Sequence, residues 1–311
     1  MSAPVDSKNR TGDTPMSLPY GLVVGDPIAH SLSPVIHLAA YRELGLDWDF
    51  SRRQVPAGGL AKLLQKLEGE AGFARGEACR GLSVTMPLKP EALRLAAYVD
   101  GLAKATGAVN TLVPSSGAWT GFNTDVAGIV EAFRGGGARS STAASFEAVI
   151  FGSGATAGSA IAALRELGAE TITVVSRSLD RSGPAFVAAE RMFVEVNHLS
   201  WGDEAELAKV LGRANLVFST VPGPNQKTLP LPDLNPQAFV LDAVYDPWPT
   251  PIASWAEGYG AKVIPGWEML AYQGIAQVKL FTGREIGSAV VIGALENAIR
   301  DRRGQETRYS N

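Results

Sequence analysis

The sequence is poor in the residues that staple or metallate a protein. Cys79 is the only cysteine among 311 residues, so no internal disulfide can form, as is usual for a chain in a reducing cytoplasm. The three histidines, His30, His37 and His198, lack metal-ligand spacing, so no metal is expected, and His30 and His37 read as structural. No apolar run is long enough to cross a bilayer, and the start lacks the charged-then-apolar pattern of a secretion signal. Neither sign of charge dominates, because 28 Lys and Arg stand against 31 Asp and Glu. With no basic stripe there is nothing to grip a nucleic-acid backbone. The expectation is a cytoplasmic monomer or homodimer that handles small molecules, with neither a nucleic-acid nor a membrane partner.

What is present is ample core material. The chain is 46% hydrophobic and 19% charged, and its length suits two domains. Residues 1–17 are polar, broken by glycine and proline, and expected as a disordered tail; the polar end from Asp301 is expected to fray. Short apolar runs alternate with helical periodicity. In the first half, strands are expected at Tyr20–Val24, Trp48–Val55 and Gly81–Val84, and helices from Ser33-Pro34, over Gly59–Leu67 and over Pro87–Ala97. Ser33 reads as an N-cap with Pro34 at the first helical position. Asn110–Val113 and Trp119–Phe122 flank Ser115-Ser116-Gly117 as a hairpin. After a helix over Thr124–Phe133 and a Gly/Ser/Thr/Ala connection, the second half reads as a doubly wound unit. Its strands are expected at Ala148–Phe151, Thr171–Val175, Leu216–Ser219, Phe239–Leu241 and Lys262–Ile264. Helices at about Trp267–Phe281 and Gly287–Arg300 close the chain.

Gly152-Ser153-Gly154-Ala155-Thr156-Ala157 fits G-x-G-x-x-[G/A] between an expected strand and an expected helix. The first glycine makes the tight turn, the second lets backbone approach a pyrophosphate, and the helix start supplies free N–H groups. The next strand ends in Ser176-Arg177-Ser178, with Arg181 close behind. An NAD site wants a carboxylate there for the ribose hydroxyl; an arginine attracts a 2′-phosphate instead. The alternative is two solvated surface arginines, but their position favours NADP. In the first half, Lys89 sits just past a strand end in the first turn of a helix, where the positive end of the dipole disfavours an ammonium and makes proton exchange easier. Most lysines are plain surface charges, and Asp125 alone is an ordinary helix-start acid, so these positions gain weight only with the other motifs.

Taken in order, the motifs resemble the shikimate dehydrogenase family. They are Gly25 to Pro34 with His37, Ser83 to Lys89, Gly107 to Thr111, Asn123-Thr124-Asp125, Gly152 to Ala155 and Ser176 to Arg181. The match continues through Asp242 to Tyr245 with Pro249-Thr250-Pro251, and Gly266 with Met269-Leu270 and Gln273. The resemblance covers about Leu18 to Arg300. It implies NADP-dependent, reversible reduction of 3-dehydroshikimate to shikimate, a step of chorismate and aromatic amino-acid biosynthesis. It implies Lys89 and Asp125 as the catalytic pair and Ser31 and Ser33 as hydroxyls on the substrate carboxylate. It implies Thr85, Asn110, Tyr245 and Gln273 as partners of ring hydroxyls or carboxylate. Gly152, Ser153, Gly154, Ala155, Thr156, Ser176, Arg177, Ser178 and Arg181 would bind the cofactor, and Ala243 and Gly266 would line its nicotinamide.

The family often has Asn at the positions of Ser83 and Ser176. The shorter Ser83 opens the question of quinate as a substrate, and a quinate/shikimate enzyme using NAD is the rival enzymatic reading. A catalytically silent NADP-binding sensor is the rival of another class; retention of Lys89 and Asp125 argues against it. The expected fold class is α/β, with two α/β domains and a cleft between them. A substrate domain with a mostly parallel sheet would take 18–123 plus 266–303, and a Rossmann-type NADP domain 124–265.

Overall fold

Among the described residues the alternating pattern folds into two open sheets of six strands each. The structure is a computed structural model that describes residues 18–70, 72–73, 78–139, 146–177 and 182–309, with side chains up to residue 302. The expected tail at 1–17, most of the Ser/Thr/Ala connection, Ser178 and Arg181 lie outside the described residues.

The first half runs β1 (Tyr20–Gly25), α1 (Ser33–Glu43), β2 (Asp49–Gln54), α2 (Leu60–Glu68), β3 (Cys79–Val84), α3 (Lys89–Leu95), β4 (Tyr98–Val99), α4 (Gly101–Thr106), β5 (Thr111–Ser115) and β6 (Ala118–Phe122). Its sheet has the order β2-β1-β3-β5-β6-β4. β1 lies parallel to β2 and β3, while β5 is antiparallel to β3 and β6. The β5–β6 connection is the hairpin expected from sequence. Ser116 and Gly117 take φ of 51° and 78°, the left-handed pair whose twist matches that of the strands.

The second half runs α5 (Asp125–Gly135), β7 (Glu147–Phe151), α6 (Ala155–Glu166), β8 (Thr171–Ser176), α7 (Pro184–Arg191), β9 (Asn197–Ser200), α8 (Glu204–Leu211), β10 (Leu216–Ser219), α9 (Gly223–Gln226), β11 (Phe239–Asp242), α10 (Pro251–Gly258), β12 (Lys262–Pro265), α11 (Gly266–Thr282) and α12 (Ser288–Tyr309). The strand order is β12-β11-β10-β7-β8-β9, all parallel. Helices cover both faces, so Val149, Ile150, Phe151, Val217 and Phe218 on the central strands are fully buried. The winding reverses between β7 and β10, and the crevice at the carboxyl ends of such neighbours is where ligands bind.

α11 joins the two halves. Met269 and Tyr272 pack on the cluster beneath the second sheet. Phe281 packs with Val23, Tyr41 and Phe50 of the first, and Ala271 with Leu32, Ile36 and α12 residues Val291 and Leu295.

Three expectations change. Ser33 is not an N-cap: Leu32 holds that place, Ser33 is the first helical residue, and no side chain caps α1. Its hydroxyl is instead paired with Ser31, as described below. α12 does not end near Arg300; the polar stretch from Asp301 continues as helix to Tyr309, because Arg, Gln and Glu are good helix formers. Finally, β4, β9 and helices α4 and α7 to α10 were not foreseen. The signals for α4 were local ones: Asp100 accepts the Ala103 N–H at 2.6 Å, and Gly107 closes the helix at φ 70°.

The first half buries a histidine ring. His37 is fully buried, stacked on Phe50 at 3.8 Å and hydrogen-bonded to Gln277 and Tyr41. Burial disfavours its charged form and lowers it from 6.5 to about 3, against the opposing pull of the Gln277 hydrogen bond. The unfolded chain therefore takes up a proton that the folded chain refuses across this window, so stability falls as pH drops from about 6.5. Between about pH 7 and pH 5 this one residue should cost about 2 kcal/mol. Denaturant unfolding of wild type and His37→Asn should show a shallower acid slope in the variant; equal slopes would contradict the assignment.

Candidate active site

The two halves meet at a cleft of about 300 Å³. Two helix starts converge there. Lys89 is the first residue of α3 and Asp125 the first of α5. The Lys89 ammonium donates to Asp125 Oδ2, with side chains only 13% and 5% exposed, so the pair is shielded from water yet open to the cleft. Thr156 Oγ1, on α6 of the second half, lies 3.5 Å from Lys89 Nζ. A carboxylate at a helix start interacts favourably with the free N–H groups and the dipole there.

Asp125 is braced from behind. Asn110 Nδ2 donates to Asp125 Oδ1 at 2.7 Å and to Thr124 Oγ1 at 2.9 Å. The orientation of that amide is determined, because its Oδ1 accepts the Thr124 backbone N–H at 2.8 Å, and a backbone N–H can only donate. Asn123 Oδ1 accepts the Asp125 N–H, while its Nδ2 ties Thr106 to Ser159.

Another wall of the cleft carries hydroxyls. Ser31 Oγ donates to Ser33 Oγ at 3.2 Å and accepts the Ser33 N–H at 3.3 Å. Thr85, Tyr245 and Gln273 line the same space, as do Ala243 and Gly266. The loop bearing Ala243 and Tyr245 is anchored by Asp242, whose buried carboxylate accepts from Thr250, Gln226 and the Val244 N–H. Desolvation pushes that carboxyl above its ordinary value, and these hydrogen bonds pull the other way. Gly266 is required by close approach: a Cβ there would stand 2.5 Å from the Asp242 carbonyl oxygen and 2.7 Å from that of Ala243.

A second cavity, of about 340 Å³, lies at the carboxyl ends of β7, β8 and β10. It is lined by Gly152, Ser153, Gly154, Ser176 and Arg177 with Trp201, Thr220 and Asn225. Gly152 has φ 106°, a Cβ there would meet Thr220 Oγ1 at 2.2 Å, and Gly154 faces open space. The start of α6 has no side-chain cap, which leaves backbone N–H groups free for an anion. The Arg177 guanidinium lies over the Trp201 ring, 5.7 Å from its centroid, within cation–π range. Gly152→Ala combines left-handed strain with that clash, so it should weaken dinucleotide binding at least tenfold and lower stability by about 1–3 kcal/mol. Cofactor titration and thermal unfolding check this.

Of the residues singled out in sequence, Ser31, Ser33, Thr85, Lys89, Asp125, Thr156, Ala243, Tyr245, Gly266 and Gln273 line the first cavity. Asn110 sits behind Asp125, and Ala155 opens α6. His30 lines the cleft as well, whereas His37 is buried among aromatic rings. Among the described residues no cluster could hold a metal ion. Sequence reading missed Gln277, whose Oε1 accepts from Ser83 Oγ at 2.7 Å. The signal was its place four residues after Gln273, on the same helix face. It also missed Trp201, which follows the unforeseen β9.

Comparison with known proteins identifies relatives along most of the chain. The shikimate dehydrogenase substrate binding domain matches residues 23–112, and the shikimate 5'-dehydrogenase C-terminal domain matches 266–296. A shikimate dehydrogenase (NADP(+)) of Syntrophobacter fumaroxidans is 33% identical over 285 residues, 90% of this chain and 92% of that protein. The crystal structure of Mycobacterium tuberculosis shikimate dehydrogenase superposes with a TM-score of 0.74 at 36% identity, covering 90% of this chain and 99% of the other. The Thermus thermophilus shikimate 5-dehydrogenase in complex with NADP(H) and shikimate gives 0.75 at 30% identity, over 90% and 100%. With likeness extending along nearly the whole chain, through both sheets and the cleft they share, the protein belongs to the shikimate dehydrogenase family.

Proposed function

We propose that this protein catalyses the NADPH-dependent, reversible reduction of 3-dehydroshikimate to shikimate, as a step of chorismate biosynthesis. The observation that carries the reading is the shielded Lys89–Asp125 pair, contributed by two helix starts and facing a hydroxyl-lined cleft. When bound, the reduced nicotinamide supplies the hydride that the ketone carbon receives. Lys89 gives its ammonium proton to the carbonyl oxygen and is left a neutral amine; in the reverse direction that amine removes the proton. Proton donation matters because an alkoxide developing in a shielded site needs a donor within reach. Asp125 keeps the ammonium aimed, and Asn110 holds Asp125 in place.

The residues around the second cavity fit NADP. Gly152 to Thr156 offer a bare helix start for a pyrophosphate, and Arg177 at the end of β8 offers a cation where NAD enzymes place an acid. Ser176, also on the lining, keeps a small polar side chain at that strand end. Ala243 and Gly266, at the edge of the first cavity, mark the nicotinamide end. Ser31 and Ser33 take the substrate carboxylate, and Thr85, Tyr245 and Gln273 its hydroxyls. In this reading 18–123 with 266–303 form the substrate domain and 124–265 the NADP domain. Cytoplasmic location follows the same reading, and among the described residues no helix is long and apolar enough to cross a membrane. The test is NADPH oxidation with 3-dehydroshikimate and NADP reduction with shikimate, with quinate and NAD as comparisons. A preference for NAD with quinate would overturn the cofactor role given to Arg177 and Arg181.

A further inference from the structure

One side of the cleft is gripped from outside by two arginines that take no part in the motifs. Arg52, on β2, donates from Nε to the Ser31 carbonyl at 2.8 Å. Arg302, on α12, donates from Nη1 to the His30 carbonyl at 3.1 Å and lies 3.5 Å from Asp246 Oδ2. His30, Ser31 and Tyr245 all line the cleft, and Arg302 bridges the loops that carry them, one after β1 and one after β11. Among the described residues, the carboxylate that contacts either cation is that of Asp246. The guanidiniums also sense one another: burial first, then the charge of Arg302, holds Arg52 below its ordinary value. Two cations on one rim, each with a donor on a loop carbonyl, make the Ser31 side of the cleft electropositive.

We infer that Arg302, with Arg52, forms a cationic collar that positions the His30–Ser31 and Tyr245–Asp246 loops and selects a substrate carrying a carboxylate. This rests on the activity proposed above. Arg302 is a positioning residue, acting through the two loops and through its field. A surface-side charge of this kind is screened by salt, and a neutral substrate does not respond to it. Both properties separate the collar from a merely structural contact.

The experiment is steady-state kinetics of wild type, Arg302→Ala and Arg302→Lys with shikimate and with shikimate methyl ester, at low and high salt. NADP titration and thermal unfolding serve as controls on folding. With shikimate, Arg302→Ala should raise KM roughly five- to tenfold at low salt while kcat moves less than about twofold. The wild-type KM should climb with salt more steeply than that of the variant. Arg302→Lys should recover part of the loss, since it keeps the charge without the planar fork. The ester, which feels the loops but not the charge, should lose clearly less and show no salt dependence. Equal losses on acid and ester, or no rescue by lysine, would overturn the collar. A wild type active on shikimate with an indifferent Arg302→Ala would overturn the collar alone, whereas a wild type inert on shikimate would remove the proposed activity and the collar with it.

Discussion

Replacing Lys89 by alanine should lower kcat by about 10²–10⁴ while shikimate and NADP still bind within a few-fold of wild type. The reason is positional. The ammonium touches Asp125 and faces the cleft, whereas the hydroxyls assigned to the substrate sit on other elements and are untouched by the change. The variant leaves Asp125 without its cation, and a shielded lone carboxylate can cost about 3 kcal/mol. Here the cost should be smaller, because Asn110 Nδ2 still donates to Asp125 Oδ1 and α5 starts beneath it. Thermal unfolding measures that part, and single-turnover kinetics with calorimetric binding measures the rest. Lys89→Arg is the informative companion. It restores the positive charge but cannot release a proton, so it should regain stability without regaining turnover. If Lys89→Ala turned over like wild type, or if Lys89→Arg restored the rate, proton transfer would have to come from elsewhere.

Substituting Arg177 should change which cofactor the enzyme prefers. The guanidinium lies beside Ser176 at the end of β8 and over the Trp201 ring, so it is set in place before a phosphate arrives. A hydrogen bond to a charged partner contributes about 1.5–3 kcal/mol. Arg177→Ala should therefore raise the KM for NADP about ten- to hundredfold, with little change for NAD. Arg177→Asp should go further, because its carboxylate repels the 2′-phosphate and can accept from the ribose hydroxyl. The two KM values, measured side by side, decide the matter. An NADP KM that stayed at its wild-type value in Arg177→Ala would place the phosphate contact on other groups.

Much of the architecture was legible because its signals are local. Gly152-x-Gly154 between a strand and a helix, the Ser115-Ser116-Gly117 turn and the apolar runs of β7, β8, β10 and β11 each state their conformation within a few residues. Elements shaped by partners were not legible. β4 has two residues and exists only by pairing with β6, and β9 is an edge strand held by β8. Ser33 shows the same limit at one residue. Its preference for capping is real, yet Leu32 takes that place and the Ser33 hydroxyl pairs with Ser31.

By itself the amino-acid order determined the two α/β halves, the bare helix start for a dinucleotide, and the residue types from which the site is built. Tertiary structure alone decided which of those residues meet. Lys89 and Asp125 are 36 positions apart, and nothing in either local stretch places them in contact. The return of α11 to the first half brings Gln273 and Gln277 to the cleft, and α12 brings Arg302 to the loop at His30. The physical reason is that periodicity and capping act over a few residues, whereas the meeting of distant side chains is decided by how buried faces pack.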